Sequence, residues 1–333
     1  MLDSALLLLL LIIVLAIGFG LVNGFNDAAN AIAAAIGSRA ISPRNAVILA
    51  AIVNFAGAAT GLEVAKTIGK GVLIQQAVSN ETVIAGLGAV IVWGTIATYW
   101  GLPVSITHSF IAGLAAAGIG TVGSQAIQWG VLERVLASVV AAPVLGFFGG
   151  FALMVILMWL FRRSAPTRIR VIFSRLQWLT TAFLAYSHGK NDGQMPIGVI
   201  TMALVIYTGQ TGLWDKVPWW VIVVSALAIS SGMAIGGWRV IRTLGLKITA
   251  LRPVHGFATQ VSAAAVIELA SHLGIPVSTT HCASASIMGV GATRRFSAVR
   301  WGVASNIFAA WILTFPICGG LGYLFAWLLG MTS

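Results

Sequence analysis

Ser187-His188-Gly189-Lys190-Asn191-Asp192-Gly193-Gln194-Met195-Pro196 lies between two apolar runs of a chain that holds only 8 acidic residues among 333. Far upstream, Asn23-Gly24-Phe25-Asn26-Asp27-Ala28-Ala29-Asn30 carries the same Gly-x-Asn-Asp core, again inside apolar sequence. One such motif would say little. Two of them, in corresponding positions of two half-chains, point to a binding site built by a duplicated membrane fold.

Composition sets the class. Hydrophobic residues make up 59% of the chain and charged residues 8%, against roughly 25% charged in a soluble domain. Several apolar runs approach or exceed the ~20 residues that span a bilayer. The two cysteines, Cys282 and Cys318, have no metal-ligand spacing and imply no disulfide framework. The net charge of +11 is carried by short loops between apolar runs. The positive-inside tendency accounts for it better than a nucleic-acid partner does, and none is expected. The apolar stretch 5–21 has no basic flank and runs into the first motif, so it reads as part of the mature fold rather than as a signal peptide.

Working outward, the polar residues from Asn23 predict a break in the first membrane helix, and Asn191-Asp192 predicts another in the second half. Such breaks are tolerated at membrane depth only inside protein or along a wet cavity. The stretch 63–81 reads as a polar connector. Two short segments, Pro103-Val104-Ser105-Ile106-Thr107-His108 and Pro276-Val277-Ser278-Thr279-Thr280-His281, read as re-entrant helical hairpins. Ordered landmarks recur at near-constant offset: 165 residues between Asp27 and Asp192, 173 between Pro103 and Pro276, 172 between Trp129 and Trp301, and 173 between Pro143 and Pro316. The expected organisation is therefore a first repeat at 1–161, a basic linker at 162–175 and a second repeat at 176–333. Neither chain end carries a basic side chain, whereas the linker carries Arg162, Arg163, Arg168, Arg170 and Arg175. That places the termini outside and the linker in the cytoplasm, so the repeats are inverted. The expected fold is an all-α polytopic membrane protein with about ten to twelve membrane segments, a secondary-transporter architecture whose site lies at the repeat interface.

The chemistry follows from residue type. A carboxylate at the bilayer centre costs ~2.5–3.5 kcal/mol even on the mild insertion scale, so Asp27 and Asp192 need compensation. Asp, Asn and freed carbonyls are hard oxygen ligands for Na⁺, or sites for a proton. Asn23 and Asn30 extend this candidate cation-coupling set. Its plain alternative is capping of broken-helix N–H groups. Ser105, Thr107, Ser278, Thr279 and Thr280 stand at helix starts, where hydroxyls and unpaired N–H groups receive an oxyanion; ordinary capping competes here too. Gln194, Asn26 and Asn191 complete the candidate substrate set, and Lys190 either adds a donor or snorkels. For His108 and His281, helix-interface hydrogen bonding is favoured. A proton relay and a structural role are equally weighted for His188. Glu268 and His272, four apart on one helix face, read as a pair reaching the interface. There is no nucleophile–base–acid set for an enzyme, and too few intramembrane Lys and Arg for an anion channel.

Together these motifs resemble the inorganic phosphate transporter (PiT) family, in its bacterial branch. The carrying residues are 24–31, 187–194, both Pro-Val-Ser segments, Gly245-Leu246-Lys247-Ile248-Thr249-Ala250-Leu251-Arg252-Pro253, Gly289-Val290-Gly291 and Trp311-Ile312-Leu313-Thr314-Phe315-Pro316. The resemblance implies a cation-coupled symporter of inorganic phosphate working by alternating access in the inner membrane. Asp27, Asn26, Asp192 and Asn191 fall on the family's cation and substrate motifs, and act as metal ligands if the ion is Na⁺. The Ser and Thr residues fall on its phosphate-binding hairpins. The resemblance adds Asn54 and Gln260 to the candidate cation-coupling set: animal-type members carry Glu at these two positions, and the neutral residues here shift the expected ion from Na⁺ toward H⁺. No cofactor is expected beyond that ion. Sulfate, of the same shape, and a metal–phosphate complex are the alternative substrates, and a homodimer is left open.

Overall fold

The structure, a computed structural model, describes residues 3–330. The terminal residues used to orient the chain, 1–2 and 331–333, lie outside the described residues. Thirteen α-helices account for nearly all of it among the described residues. The first-half helices are α1 (Ser4–Gly37), α2 (Pro43–Ala58), α3 (Glu63–Gly71), α4 (Asn80–Trp100), α5 (Ile106–Val122) and α6 (Trp129–Leu160). The second half has α7 (Pro166–Asp192), α8 (Gln194–Thr208), α9 (Trp219–Ile235), α10 (Trp238–Arg242), α11 (Pro253–His272), α12 (Thr279–Ala292) and α13 (Trp301–Leu328). This is an all-α polytopic membrane protein. By length and hydropathy 4 helices suffice to cross a bilayer, α1, α4, α6 and α13, or up to 6 if the bent pair α2–α3 and the bent pair formed by α9 and the segment Trp238–Lys247 each count as a span. The other long helices fall short because their inner faces are polar: α7 buries Gln177, Thr180, Thr181, Asn191 and Asp192.

The helices pair across the two halves. α1 packs on α9 as α7 packs on α2, and α5 packs on α13 as α12 packs on α6. Glycine permits the close crossings. A Cβ on Gly24 would meet the backbone of Ile229 and Met233, and one on Gly189 would meet Asn54 O and Ala58 N. α4 with α5, and α11 with α12, form two helical hairpins. Each turns at a glycine in left-handed geometry, Gly101 (φ 73°) and Gly274 (φ 64°), a conformation that glycine adopts without Cβ strain.

Several expectations change. α1 does not break at Asn23: it runs as one helix of 34 residues. Asn23, Asp27 and Asn30 are spaced 4 and 3 apart, so they share one face, on which Asp27 and Asn30 meet hydroxyls of α12 while the backbone ladder stays intact. The second break does occur, at Gly193 alone. Pro196 has no N–H for the Asp192 carbonyl four residues earlier, and its ring crowds that carbonyl. At the same offset the first half has Ala31, which lets α1 continue. The larger breaks lie elsewhere, a bend of 67° between α2 and α3 and one of 59° after α9. The connector at 63–81 contains a helix, α3. The basic stretch 162–175 is mostly helical, because Pro166 at the first helical position starts α7. The 129–161 stretch, unresolved in sequence between one and two helices, is a single helix with Pro143 inside it.

Candidate substrate and cation site

The polar faces of α1 and α7 and the tips of the two hairpins converge on one buried centre. Ser105 and Ser278 end the extended tips, and their hydroxyls accept the backbone N–H of His108 (3.2 Å) and His281 (3.1 Å). The capping role weighed for these two serines is thus real. It leaves the neighbouring threonines facing the carboxylates. Thr280 Oγ1 lies 2.9 Å from Asp27 Oδ1 and 3.0 Å from Val104 O, so its one proton is divided between these acceptors; Thr279 donates to Asp192 Oδ2 at 2.8 Å, and Thr107 approaches Asp192 Oδ1 at 3.5 Å. Asn30 Nδ2 donates to Thr280 (2.9 Å) and Thr279 (3.2 Å). Asp27 and Asp192 are 1% and 0% exposed, so every bond here acts in low dielectric, where it is stronger than at a surface.

Asn26 and Asn191 hold the hairpins in place. Asn26 Nδ2 donates to Thr98 Oγ1 (2.7 Å) and Leu102 O (3.4 Å). Asn191 Nδ2 donates to Ser271 Oγ (3.0 Å) and Ile275 O (3.3 Å). The Ser271 proton already goes to Ile267 O at 2.8 Å, as that of Thr98 goes to Gly94 O. The turned amide of Asn191 instead donates to Asp192 Oδ1 (3.1 Å) and Val277 O (3.2 Å) and accepts from Ser271 Oγ (3.0 Å), so in both orientations Asn191 meets Ser271. Both asparagines read as positioning residues that tie α1 and α7 to the hairpin tips. Asn23 is fully buried and neither of its amide atoms has a partner; the Oδ1 atoms of Asn26 and Asn30 are likewise unpartnered. These are hard oxygen acceptors on the inner face of α1.

His188, for which a proton relay and a structural role weigh equally in the sequence, joins the two carboxylates. His188 Nε2 lies 3.1 Å from Asp192 Oδ2 and 3.8 Å from Asp27 Oδ2, and its Nδ1 lies 2.7 Å from Asn54 Oδ1. Asn54 in turn donates to Ser230 at 3.2 Å. Ligand atoms of Asp27, His188 and Asp192 all lie within 4.8 Å of one another. The signal was present: His188 stands at the 165-residue offset from Asn23 and one turn before Asp192 on the same helix.

Two predicted residues are occupied elsewhere. Gln194 Oε1 accepts the N–H groups of Val64 (2.9 Å) and Ala65 (3.1 Å), and its Nε2 donates to Thr60 O (3.3 Å). It caps α3, whose start has no side-chain cap of its own, and is not aimed at the centre. Gln260 accepts from Thr180 (2.7 Å) and donates to Thr181 (2.8 Å) and Ala31 O (3.2 Å). It joins α11, α7 and α1 and touches neither carboxylate. The expected hydrogen bonding of His108 and His281 is also not found: no ring nitrogen of either has a hydrogen-bond partner among the described residues. They stack instead, His281 on Trp311 with ring centroids 4.0 Å apart and His108 on Phe315 at 5.6 Å. Lys190 neither snorkels nor reaches the carboxylates. Its amine pairs with Glu268 and lies 3.2 Å from His272 Nε2, so Glu268 and His272 bind α11 to α7.

A buried centre with two carboxylates, orphan amide oxygens and hydroxyls at two helix starts is that of a membrane transporter for small ions. The phosphate transporter family model matches residues 23–322, and the chain belongs to that family. It is 39% identical over 331 residues to a protein of Bacillus subtilis named "Probable low-affinity inorganic phosphate transporter", with 99% of each chain covered. A protein of Rhizobium meliloti with the same name is 39% identical over 310 residues, covering 93% of this chain and 92% of the relative. Among solved structures, "The sodium-dependent phosphate transporter" superposes with a TM-score of 0.89 at 28% identity, covering 97% of this chain and 99% of that one. The protein is thus a multi-pass membrane transporter and not an enzyme.

Proposed function

We propose that the chain is a cation-coupled symporter that imports inorganic phosphate by alternating access. The observation that carries this reading is the bonding of Thr280 to Asp27 and of Thr279 to Asp192. The hydroxyls that an oxyanion would engage at the start of α12 are spent on two carboxylates. A cation that neutralises those carboxylates weakens their hold, and the freed hydroxyls and N–H groups then receive phosphate. Without the cation, the anion would face Asp27 and Asp192 unscreened in low dielectric, where repulsion is large. Coupling thus rests on competition for the same donors.

The ion this geometry favours is H⁺. A His188 nitrogen at 3.1 Å from one carboxylate and 3.8 Å from the other supplies a tethered group that carries a proton between them. Na⁺ is the second reading. The orphan oxygens of Asn23, Asn26 and Asn30 favour it, and the structural relative is named sodium-dependent. Phosphate is preferred to sulfate because near neutral pH only phosphate offers a hydroxyl to a carboxylate acceptor, whereas sulfate would set unpaired anions against each other.

The architecture in this reading is two inverted repeats, 1–161 and 176–333, with the hairpins α4–α5 and α11–α12 re-entering from opposite faces. The cross-half pairing of helices supports it. So does the matching of Asn26–Thr98–Leu102 by Asn191–Ser271–Ile275. The arginines at 162–175 mark the cytoplasmic face of the inner membrane. The test is labelled phosphate uptake into proteoliposomes under an imposed pH or Na⁺ gradient, with unlabelled sulfate as competitor. Accumulation driven by one gradient and unaffected by sulfate is expected. Sulfate accumulation without phosphate uptake would overturn the substrate, and gradient-independent flux would overturn the symport.

A further inference from the structure

A polar cavity that shares no lining residue with the carboxylate centre lies where the loop after α12 returns to α13. It has a volume of about 590 Å³ and is lined by Thr249, Arg294, Arg295, Ser297 and Arg300 among others. No carboxylate pairs with any of these arginines among the described residues, and the sequence has no acid after Glu268. The crevice is preformed. Thr249 Oγ1 donates to Ala298 O at 3.0 Å and Arg300 N to Ile248 O at 2.9 Å. The Arg300 guanidinium is held by the Leu246 and Lys247 carbonyls, each at 3.4 Å. Arg294 and Arg295 stand exposed.

The fold does not require these charges. At the 172-residue offset of the Trp129/Trp301 pair the first half has Val122 and Gly123 where the second has Arg294 and Arg295, and the neutral Gln128 where it has Arg300; Gln128 donates to the Lys70 and Leu73 carbonyls as Arg300 does to those of Leu246 and Lys247. Next to the arginines, Phe296 is 67% exposed and stacks on Trp301 with centroids 4.3 Å apart; Trp301 Nε1 donates to Phe296 O at 2.9 Å. An aromatic pair with one exposed ring, Phe296, stacked on a half-buried tryptophan whose polar edge is hydrogen-bonded suits the headgroup level of a bilayer. Uncompensated guanidinium groups in a crevice at that level match a phosphate diester in charge and in fork geometry.

We propose that this crevice binds the headgroup of an anionic phospholipid, between the Arg294–Arg295 pair and Arg300. Free phosphate carries the same oxyanion, but the aromatic pair beside the arginines selects a ligand with acyl chains. The bound lipid would bridge the loop entering α11 and the loop leaving α12, which are the two ends of one hairpin.

Native mass spectrometry of the full chain, delipidated in detergent and titrated with phosphatidylglycerol or phosphatidylcholine, tests this. The wild type is expected to prefer phosphatidylglycerol by roughly tenfold or more, from the electrostatic contribution of each basic side chain. Arg294→Gln/Arg295→Gln removes two charges and no side-chain hydrogen bond found in the structure, and should reduce the preference to about twofold or less. Arg162→Gln/Arg163→Gln loses the same charge elsewhere and should keep the preference. If the first pair does not fold, Arg295→Gln alone should lose about half of the preference on a logarithmic scale. Equal loss in the 162/163 control, or no loss in the 294/295 variant, would overturn the site. Displacement of phosphatidylglycerol by millimolar inorganic phosphate would show that the crevice takes free phosphate, and would overturn the lipid assignment.

Discussion

Gly24→Ala tests whether close packing of α1 on α9 sets the geometry of the carboxylate centre. A Cβ at Gly24 would lie 2.8 Å from Met233 N and 2.9 Å from Ile229 C, and closer still to Ile229 O. Favourable non-bonded separations begin near ~3.5 Å, so the helices must part by roughly 1 Å. Overpacking costs ~1–3 kcal/mol, at the upper end here because the atoms met are backbone and cannot rotate away. Alanine's better helix propensity returns less than ~1 kcal/mol. A net loss of about 2–3 kcal/mol in a chain of this size lowers the melting temperature by roughly 5 °C. The same displacement carries Asp27, one turn on from Gly24, away from Thr280. That bond is 2.9 Å, and lengthening it by about 1 Å takes it outside hydrogen-bonding range. A misplacement of that size in a functional site lowers turnover on the order of 100-fold. The control is Gly18→Ala on the same helix, whose Cβ would meet only Ile91 Cδ1 at 3.6 Å; it should leave melting and uptake unchanged or slightly raise the former. The assays are thermal unfolding of the detergent-purified protein and phosphate uptake in proteoliposomes. Equal melting temperatures and equal uptake for the two variants would refute the packing argument.

Thr280→Val should reduce uptake by about 10- to 100-fold, since a buried charge-assisted bond of ~1.5–3 kcal/mol is lost. Thr107→Val should do less, because its contact with Asp192 is 3.5 Å; initial rates for the two variants decide the order. His188→Asn, which places an amide where Asn23 stands in the other half, should abolish uptake driven by a pH gradient; if that uptake persists, the proton route through His188 is wrong. Lys190→Met leaves Glu268, 21% exposed, with His272 alone. The partial exposure holds the loss to about 1–3 kcal/mol, and Lys190→Met/Glu268→Gln should recover most of the melting temperature. Pro196→Ala restores an N–H facing the Asp192 carbonyl and should stabilise the α7–α8 junction by up to about 3 kcal/mol, read as a rise in melting temperature.

Much of this centre was legible in the sequence, because local spacing encodes it. The Gly-x-Asn-Asp pair named both carboxylates, the offsets named the matching hairpins, and Ser105 and Ser278 stand where a helix start needs a cap. What failed were inferences that depend on which helix comes opposite. The polar residues from Asn23 onward predict a break, yet the spacing of Asn23, Asp27 and Asn30 fits one helical face and α1 runs through them. The break in the second half was legible, and its cause is Pro196, which forbids a backbone bond whatever surrounds it. Gln194 sits within the motif but turns to the start of α3, whose N–H groups had no cap. Gln260 falls at a position where the family pattern has Glu, but in the fold it serves only to join three helices.

The sequence by itself determined the class of protein, its two carboxylates and the polar residues that must be buried with them, since too few charges and long apolar runs admit no other environment. Only the tertiary structure decided that His188 stands between Asp27 and Asp192, that the threonines of α12 reach both carboxylates, and that His108 and His281 stack on aromatic rings. A side chain's helical position fixes the direction in which it points, and the packing of α1, α7 and the hairpins fixes what it meets there.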